Sequence, residues 1–133
     1  MNKKSLENLI PKNKFDIETA EKLKDYSVEE IKPIIPELLE WLQDMNWPVA
    51  KPVAEYFVSF VDDISDEIFE VFQSGDEIWK YWIISTFGAI TKSEKIKKEI
   101  ERIAYHPTKN EQAEEVNEMA LEIINLTRGG RKM

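Results

Sequence analysis

The sequence predicts a single all-α domain built as a short stack of about three helical hairpins. Three observations predict it: the composition, the helical spacing of apolar residues, and an internal repeat. Apolar residues make up 42% of the 133 residues and charged residues 33%, with only four glycines. This balance is typical of a well-packed helical domain, and the length is enough for one hydrophobic core.

The chain ends differ in composition from the region between them. Before residue 15 the chain is largely polar, apart from Leu6, Leu9 and Ile10. After residue 127 it is basic and contains glycine. The predicted division is therefore an N-terminal arm at 1–14, one helical domain at 15–127 and a flexible basic tail at 128–133.

The first predicted helix begins at Asp16 and runs to about Tyr26. Asp16 is a suitable N-cap, because its carboxylate can accept hydrogen bonds from free backbone amides in the first turn. We expect Phe15 to pack against this first turn. The apolar positions at helical spacing are Ile17, Ala20 and Leu23.

A second helix start is predicted at Ser27, three residues before Glu30. This spacing is typical of a capping box, in which each side chain binds the other's backbone amide. Pro33 and Pro36 follow, and each removes an amide donor and crowds the preceding turn. We therefore expect a bend or restart before a helix that begins near Glu37.

An internal repeat determines the predicted architecture. Residues 38–43 match residues 68–73 at an offset of 30, and each segment is followed by a polar turn and a second apolar helix. Such a period indicates a repeated helical hairpin. The predicted hairpins pair 37–44 with 47–62, 65–74 with 76–90, and a helix capped by Ser93 with a last helix bearing Val116, Met119, Ala120, Ile123 and Ile124.

The helix predicted at 76–90 is the most apolar of the set. One stripe contains Ile78, Trp79, Trp82, Ile83 and Phe87, and a second contains Tyr81, Ile84, Ser85 and Gly88. We expect this helix to be buried on two sides. The small residues Ser85 and Gly88 would let a neighbouring helix approach closely.

The segment Trp41-Leu42-Gln43-Asp44-Met45-Asn46-Trp47-Pro48-Val49-Ala50-Lys51-Pro52 resembles the signature of an uncharacterised bacterial domain family. The resemblance begins near Leu9 and covers most of the chain. It implies a HEAT-like fold, which is a right-handed stack of helical hairpins also called an α-solenoid. The family has no known catalytic residues, so the resemblance assigns no role to any residue here.

The net charge is -8 and the sequence pI is about 4.8. A nucleic acid backbone would be repelled on average, whereas a protein with a basic surface would be attracted. The chain contains no cysteine, which is compatible with a reducing cytosol. No stretch has the pattern of a signal peptide or a membrane span, so we expect a cytoplasmic protein that does not bind membranes.

Two features of the sequence carry side chains suited to chemistry, an acidic cluster and a single histidine. Asp62, Asp63, Asp66 and Glu67 are close in sequence but lack the spacing of a calcium loop, and capping of a helix start explains them better. His106 is the only histidine, and it lies in a predicted turn without a recognisable nucleophile motif. The sequence therefore predicts no catalytic residue, no metal site and no cofactor.

Two features are candidates for binding a protein partner. Trp47 is a large aromatic residue beside a turn, where it either anchors a partner or packs between repeats. Glu111, Glu115, Glu118 and Glu122 recur at helical spacing on one face of the predicted last helix. That face is either simply solvated or receives lysines and arginines of a partner.

These observations favour a non-enzymatic protein-interaction domain, and an immunity or inhibitor protein acting on a basic bacterial toxin would fit. The alternative from another class is a HEAT-like enzyme such as a DNA glycosylase, which the net charge disfavours. Its basic groove would have to come from Lys95, Lys97, Lys98 and Arg102. A third possibility is a subunit or scaffold element of a larger assembly.

Overall fold

The computed structural model describes the backbone of residues 3–129 and the side chains of residues 5–127. Within this range every regular element is helical and no strand occurs, so the predicted all-α class is confirmed. No helix in the described part of the chain has the length and apolar character needed to cross a lipid bilayer. The basic segment 130–133, which forms most of the predicted tail, lies outside the described residues.

The α-helices are separated by turns or by short 3₁₀ segments. In chain order they are α1 (Lys3–Leu6), α2 (Ile17–Glu21), α3 (Ile35–Leu39), α4 (Ala50–Val58), α5 (Ser65–Phe72), α6 (Glu77–Phe87), α7 (Glu94–Tyr105), α8 (Lys109–Ala113) and α9 (Val116–Gly129). The 3₁₀ segments are Glu7–Leu9, Lys22–Asp25, Lys32–Ile34, Glu40–Leu42 and Val61–Ile64.

Helices that follow each other along the chain pack against each other. The Glu40–Leu42 segment contacts α4, α5 contacts α6, and α7 contacts α9. These are the three pairs expected from the internal repeat. Between pairs, α6 contacts both α4 and α9, and α5 contacts α7. The helices α4, α6 and α9 are therefore neighbours in series, with α6 in the middle.

The hydrophobic core begins earlier in the chain than the sequence predicted. Leu6 and Leu9 are 0% and 5% exposed and belong to the same core cluster as the later helices. Pro11 is also buried. Leu6 and Leu9 therefore pack into the domain core, while most other described residues of 5–14 are exposed, and the boundary at residue 14 remains a prediction.

Polar side chains cap the helix starts where the sequence placed them. Asp16 Oδ1 accepts a hydrogen bond from Thr19 N at 3.3 Å, and Ser93 Oγ accepts one from Ile96 N at 3.3 Å. Asp76 caps α6 in the same way, accepting from the backbone amide of Trp79 at 3.0 Å. These caps satisfy amides that have no partner within the helix.

Two predictions near the N-terminus were wrong. Phe15 is 68% exposed and Ile17 is 41% exposed, so neither is buried against the start of α2. The capping box at Ser27 and Glu30 does form, with distances of 2.9 and 3.1 Å. It is followed by a single turn rather than an α-helix, because the next elements are the 3₁₀ segment at Pro33 and then α3.

The central helix α6 is buried on one side and open on the other. Ile83, Ile84 and Phe87 are fully or almost fully buried, as expected. Ile78 is 51% exposed, however, and Ser85 is also exposed. The prediction of burial along both stripes was therefore wrong at these two positions, because the elements that contact α6 leave one face of it open.

Gly88 lies where the end of α6 meets α9. A Cβ atom at this position would lie 2.6 Å from the carbonyl oxygen of Ile84 and 3.1 Å from Cγ2 of Ile123. We expect Gly88→Ala to lower the free energy of unfolding by about 1–3 kcal/mol, because the packed neighbours must move. Urea denaturation measures this free energy. Ser85→Ala is the control, and we expect it to change the free energy of unfolding by no more than about 0.5 kcal/mol. Equal stability of Gly88→Ala and wild type would contradict the prediction.

Candidate functional site

Charged side chains meet in the interior where α6, α7 and α8 come together. Lys80 on α6 is 4% exposed and Glu111 on α8 is 1% exposed. The half-buried Arg102 on α7 completes the contact. We call Lys80, Arg102 and Glu111, with their outer partners Glu77 and Glu99, the charge cluster. Such buried charges are costly unless each is paired and hydrogen-bonded.

The Glu111 carboxylate is the centre of the charge cluster. Its Oε2 accepts hydrogen bonds from Lys80 Nζ at 2.8 Å and from Arg102 Nη2 at 2.7 Å. Its Oε1 accepts from Arg102 Nη1 at 3.0 Å and from the backbone amide of Thr108 at 2.8 Å. Thr108 Oγ1 in turn accepts from Glu111 N, which forms a capping box at the start of α8. Both carboxylate oxygens are therefore doubly hydrogen-bonded.

Two further carboxylates balance the cations. Glu77 Oε1 lies 2.9 Å from Lys80 Nζ, and Glu99 Oε2 accepts from Arg102 Nη2 at 2.8 Å. Burial alone would raise the pKa of Glu111, but the hydrogen bonds from Arg102, Lys80 and Thr108 lower it to about 2. The carboxylates of Glu111 and Glu99 raise the pKa of Arg102. Glu111 therefore stays ionised at neutral pH and is unsuited to proton transfer.

The charge cluster fixes the direction of the last helix. Glu115 has a φ of +62°, the single positive φ at a non-glycine residue among those described. This left-handed residue separates α8 from α9 and costs roughly 1 kcal/mol. Glu111 holds α8 against α6 and α7, so α9 begins at Val116 in a defined orientation. The arrangement supports a structural role for the charge cluster.

The structure divides the predicted glutamate face. Glu115, Glu118 and Glu122 are exposed, whereas Glu111 is buried. Assigning Glu111 to a solvent-facing stripe was therefore wrong. The error arose because the residues were treated as one continuous helix, although α8 ends at Ala113 and a new helix begins after Glu115. Partner binding by the three exposed glutamates remains a prediction.

Trp47 lies against another tryptophan at the turn before α4. Its ring centroid is 5.7 Å from that of Trp41, in an edge-to-face arrangement. Both indoles are half-buried and pack against the core cluster. The backbone amide of Val49 donates to Lys14 O at 3.0 Å and joins this turn to the start of the domain. These contacts give Trp47 a packing role, and binding of a partner by Trp47 remains a prediction.

The acidic residues near the start of α5 make separate contacts. Asp62 Oδ1 accepts from the backbone amide of Lys92 at 2.8 Å, and Glu67 pairs with Lys32 Nζ at 3.1 Å. Among the side chains that the structure describes, no group of three or more acids and histidines has the geometry to hold a metal ion. His106 is exposed at the end of α7, where its carbonyl accepts from Arg102 at 3.2 Å.

The cations of α7 are largely engaged within the domain. Lys95 Nζ lies 4.0 Å from the ring centroid of Phe69, and Lys97 Nζ lies 3.8 Å from Glu94. Arg102 belongs to the charge cluster. The ion pairs of Lys97 and Arg102 offset part of the positive charge that α7 offers to a phosphate backbone, which weakens the alternative of a DNA-binding enzyme.

A depression of about 540 Å³ lies between the end of α6, the start of α7 and the end of α9. Its floor is apolar and includes Ile100 and Ile123, while its rim carries charges from Lys97, Lys98 and Glu101. The lining contains no histidine and none of the charge cluster.

The described residues form an all-helical domain with a buried charge cluster between α6, α7 and α8. A family model described as a domain of unknown function, DUF5071, matches residues 9–124. Since the match covers most of the chain, the protein belongs to this family. The predicted membership of an uncharacterised domain family is thus confirmed. A search of curated proteins gave no match.

Proposed function

We propose that the chain is a protein-binding module with HEAT-like stacking of its helical pairs, and that it binds a partner with a basic surface. The proposed contact is the glutamate face, defined as Glu115, Glu118 and Glu122. An acidic immunity or inhibitor protein of the cytoplasm would have this character. The observation that carries the proposal is a group of exposed carboxylates at the start and on one side of α9, next to the buried ion pairs of Glu111.

The glutamate face has two properties expected of a recognition surface. Glu118 and Glu122 are four residues apart, so that their carboxylates lie on one side of α9, and the exposed Glu115 directly precedes the helix. The buried contacts of Glu111 hold the preceding turn in place, which limits the entropy lost on binding. The net charge of -8 adds long-range attraction for a basic partner.

The test is a charge reversal with a matched control. The variant E115K/E118K/E122K is compared with E21K/E40K/E70K, which reverses three exposed glutamates elsewhere on the domain. A partner is first isolated by cross-linking to the wild-type chain in its source cell and is then purified for binding measurements. We expect the first variant to bind that partner roughly tenfold more weakly or worse, and the control to bind within about twofold of wild type.

Thermal unfolding followed by circular dichroism checks that both variants remain folded. Failure of the wild-type chain to recover any protein partner would overturn the proposal. Equal affinity of the two variants would overturn it as well, because the attraction would then be general rather than located on α9. A weaker affinity at higher salt is expected for the wild type, since exposed charges are screened.

A further inference from the structure

We infer that the chain has a second binding site, a groove between residues 20–32 and 52–63 that takes a proline-rich peptide carrying lysines or arginines. The inference goes beyond the proposed function, because the groove shares no residue with the glutamate face and its ligand is a separate peptide segment. Its evidence is a pair of adjoining depressions, the aromatic rings that line them and the acids on their rims.

Two depressions make up the groove. The first, of about 380 Å³, is lined by residues from 20–26 and 52–60, and the second, of about 480 Å³, by residues from 27–32 and 60–63. Phe60 lines both, so the depressions meet at its side chain. Both walls advance along the chain together from the first depression to the second, and the groove is therefore elongated. Such a shape suits an extended peptide.

Hydrogen bonds join the two walls in both depressions. The Tyr56 hydroxyl donates to Tyr26 O at 2.8 Å in the first, and Lys32 Nζ donates to Asp63 O at 3.1 Å in the second. Tyr56 is buried, and Tyr26 and Phe60 pack against the hydrophobic core. The groove is therefore held in shape by the domain itself, which limits the entropy lost when a ligand binds.

Aromatic rings line the groove where the depressions meet. The ring centroids of Tyr56 and Phe60 are 5.2 Å apart, and Tyr26 lines the same depression. Tyr26 and Phe60 are only half-buried, so a ligand can reach them. Proline-rich segments dock in aromatic-lined grooves as a preformed polyproline II helix. In that helix residues three apart share one side and are roughly 9 Å apart, so prolines at this spacing offer one ring to each depression.

The rim of the groove is mainly acidic. Four exposed carboxylates lie along it, two in each depression: Glu21, Glu55, Glu29 and Asp63. Lys24 and Lys32 also line it, but Lys32 is paired with Glu67 at 3.1 Å. Because this ion pair offsets the charge of Lys32, carboxylates predominate. Lysines or arginines beside the prolines would complement them.

Other occupants fit the groove less well. A nucleic acid or an anionic lipid surface would be repelled by the carboxylates of the rim. A peptide that binds as an added strand needs a free strand edge, and residues 3–129 form no strand. An amphipathic helix needs a continuous apolar strip, whereas Ser27 and Ser59 interrupt the aromatic lining. A basic proline-rich segment satisfies both the aromatic and the electrostatic requirements.

The probe is a fluorescent peptide with prolines three residues apart and arginines near both ends. A length of about ten residues spans roughly 31 Å as a polyproline II helix. A second peptide replaces each proline by glycine, which keeps the charge and removes the preformed helix. A third replaces each arginine by serine. Fluorescence anisotropy measures binding to the full chain, and we expect the first peptide to bind at least about tenfold more tightly than either of the others.

A pair of matched variants locates the peptide. Ser59 is exposed in the first depression, whereas Ser85 is exposed on α6 and lines neither depression. We expect Ser59→Arg to weaken binding of the first peptide at least about tenfold, because the new side chain occupies the depression and repels the ligand's cations. Ser85→Arg adds the same charge and should bind within about twofold of wild type. Thermal unfolding checks that both variants are folded.

The two triple variants separate the groove from the glutamate face. They have the same net charge, but E21K/E40K/E70K reverses a carboxylate of the groove, whereas E115K/E118K/E122K changes none of its lining residues. We expect E21K/E40K/E70K to bind the first peptide at least about fivefold more weakly than E115K/E118K/E122K. This is the reverse of the order expected for the partner of the glutamate face.

Each outcome decides the inference. Equal binding of the proline and glycine peptides would overturn it, because the attraction would then be one of charge alone. Equal affinity of Ser59→Arg and Ser85→Arg would overturn it as well, since the peptide would then lie elsewhere. Neither result affects the proposed function, whose test uses an isolated protein partner. Failure to recover that partner would in turn leave the peptide measurements unchanged.

Discussion

Glu111→Ala is expected to lower the free energy of unfolding by about 3–5 kcal/mol, the range for breaking a buried ion pair by removing one partner. The substitution leaves Lys80, which is 4% exposed, without its 2.8 Å contact. It also removes two hydrogen bonds to Arg102 and the cap on Thr108 N. Lys80 keeps Glu77 and Arg102 keeps Glu99, so the lower end of the range is expected. Urea denaturation followed by circular dichroism measures the free energy of unfolding of both chains.

The control for this substitution is Glu118→Ala. Glu118 is an exposed glutamate on the next helix, and its loss should change the free energy of unfolding by no more than about 0.5 kcal/mol. A cost below about 1 kcal/mol for Glu111→Ala would contradict a structural role for the charge cluster. It would also remove the argument that buried ion pairs set the orientation of α9.

Local signals in the sequence predicted the helix starts well. Asp16 and Ser93 each cap a helix as expected, and Asp76 caps the helix that was predicted to begin near it. A cap depends on a polar side chain and the amides two or three residues later, all within one short segment. The 30-residue repeat predicted the helix pairs for a related reason, since each copy repeats the same local pattern of apolar positions and turns.

The charge cluster could not be predicted in this way. Lys80 and Glu111 are 31 residues apart in sequence, so no local pattern indicates that they form a pair. One signal was available: Lys80 lies between Trp79 and Tyr81 in the most apolar helix, where a lysine needs a partner if it is buried. Thr108 and Glu111 also have capping-box spacing, which would have indicated a helix start before Glu111.

The exposed positions were misjudged because burial depends on neighbouring elements. Phe15 and Ile78 are both apolar and at positions suited to burial, yet they are 68% and 51% exposed. Leu6 and Leu9 stand in a polar segment, yet they are buried in the core. The helical period tells which side chains share a face, but the packing of other elements decides whether that face is covered.

The charge cluster links stability to the proposed binding surface. It holds α8 against α6 and α7, and the left-handed residue Glu115 then sets the start of α9. We expect loss of Glu111 to weaken both the domain and its attraction for a basic partner.

The contribution of Glu111 to stability should disappear in acid. The pKa of its carboxyl is about 2 in the folded chain, compared with 4.5 for an unperturbed glutamate. Between these values the unfolded chain binds the proton and the folded chain does not, so stability falls as the pH falls through this window. The shift corresponds to about 3 kcal/mol, in agreement with the lower end expected for Glu111→Ala. Urea denaturation of wild type and Glu111→Ala at about pH 6 and about pH 2.5 measures the difference, which should shrink by most of that amount. A difference that stays constant across this range would show that the charge of Glu111 does not stabilise the fold.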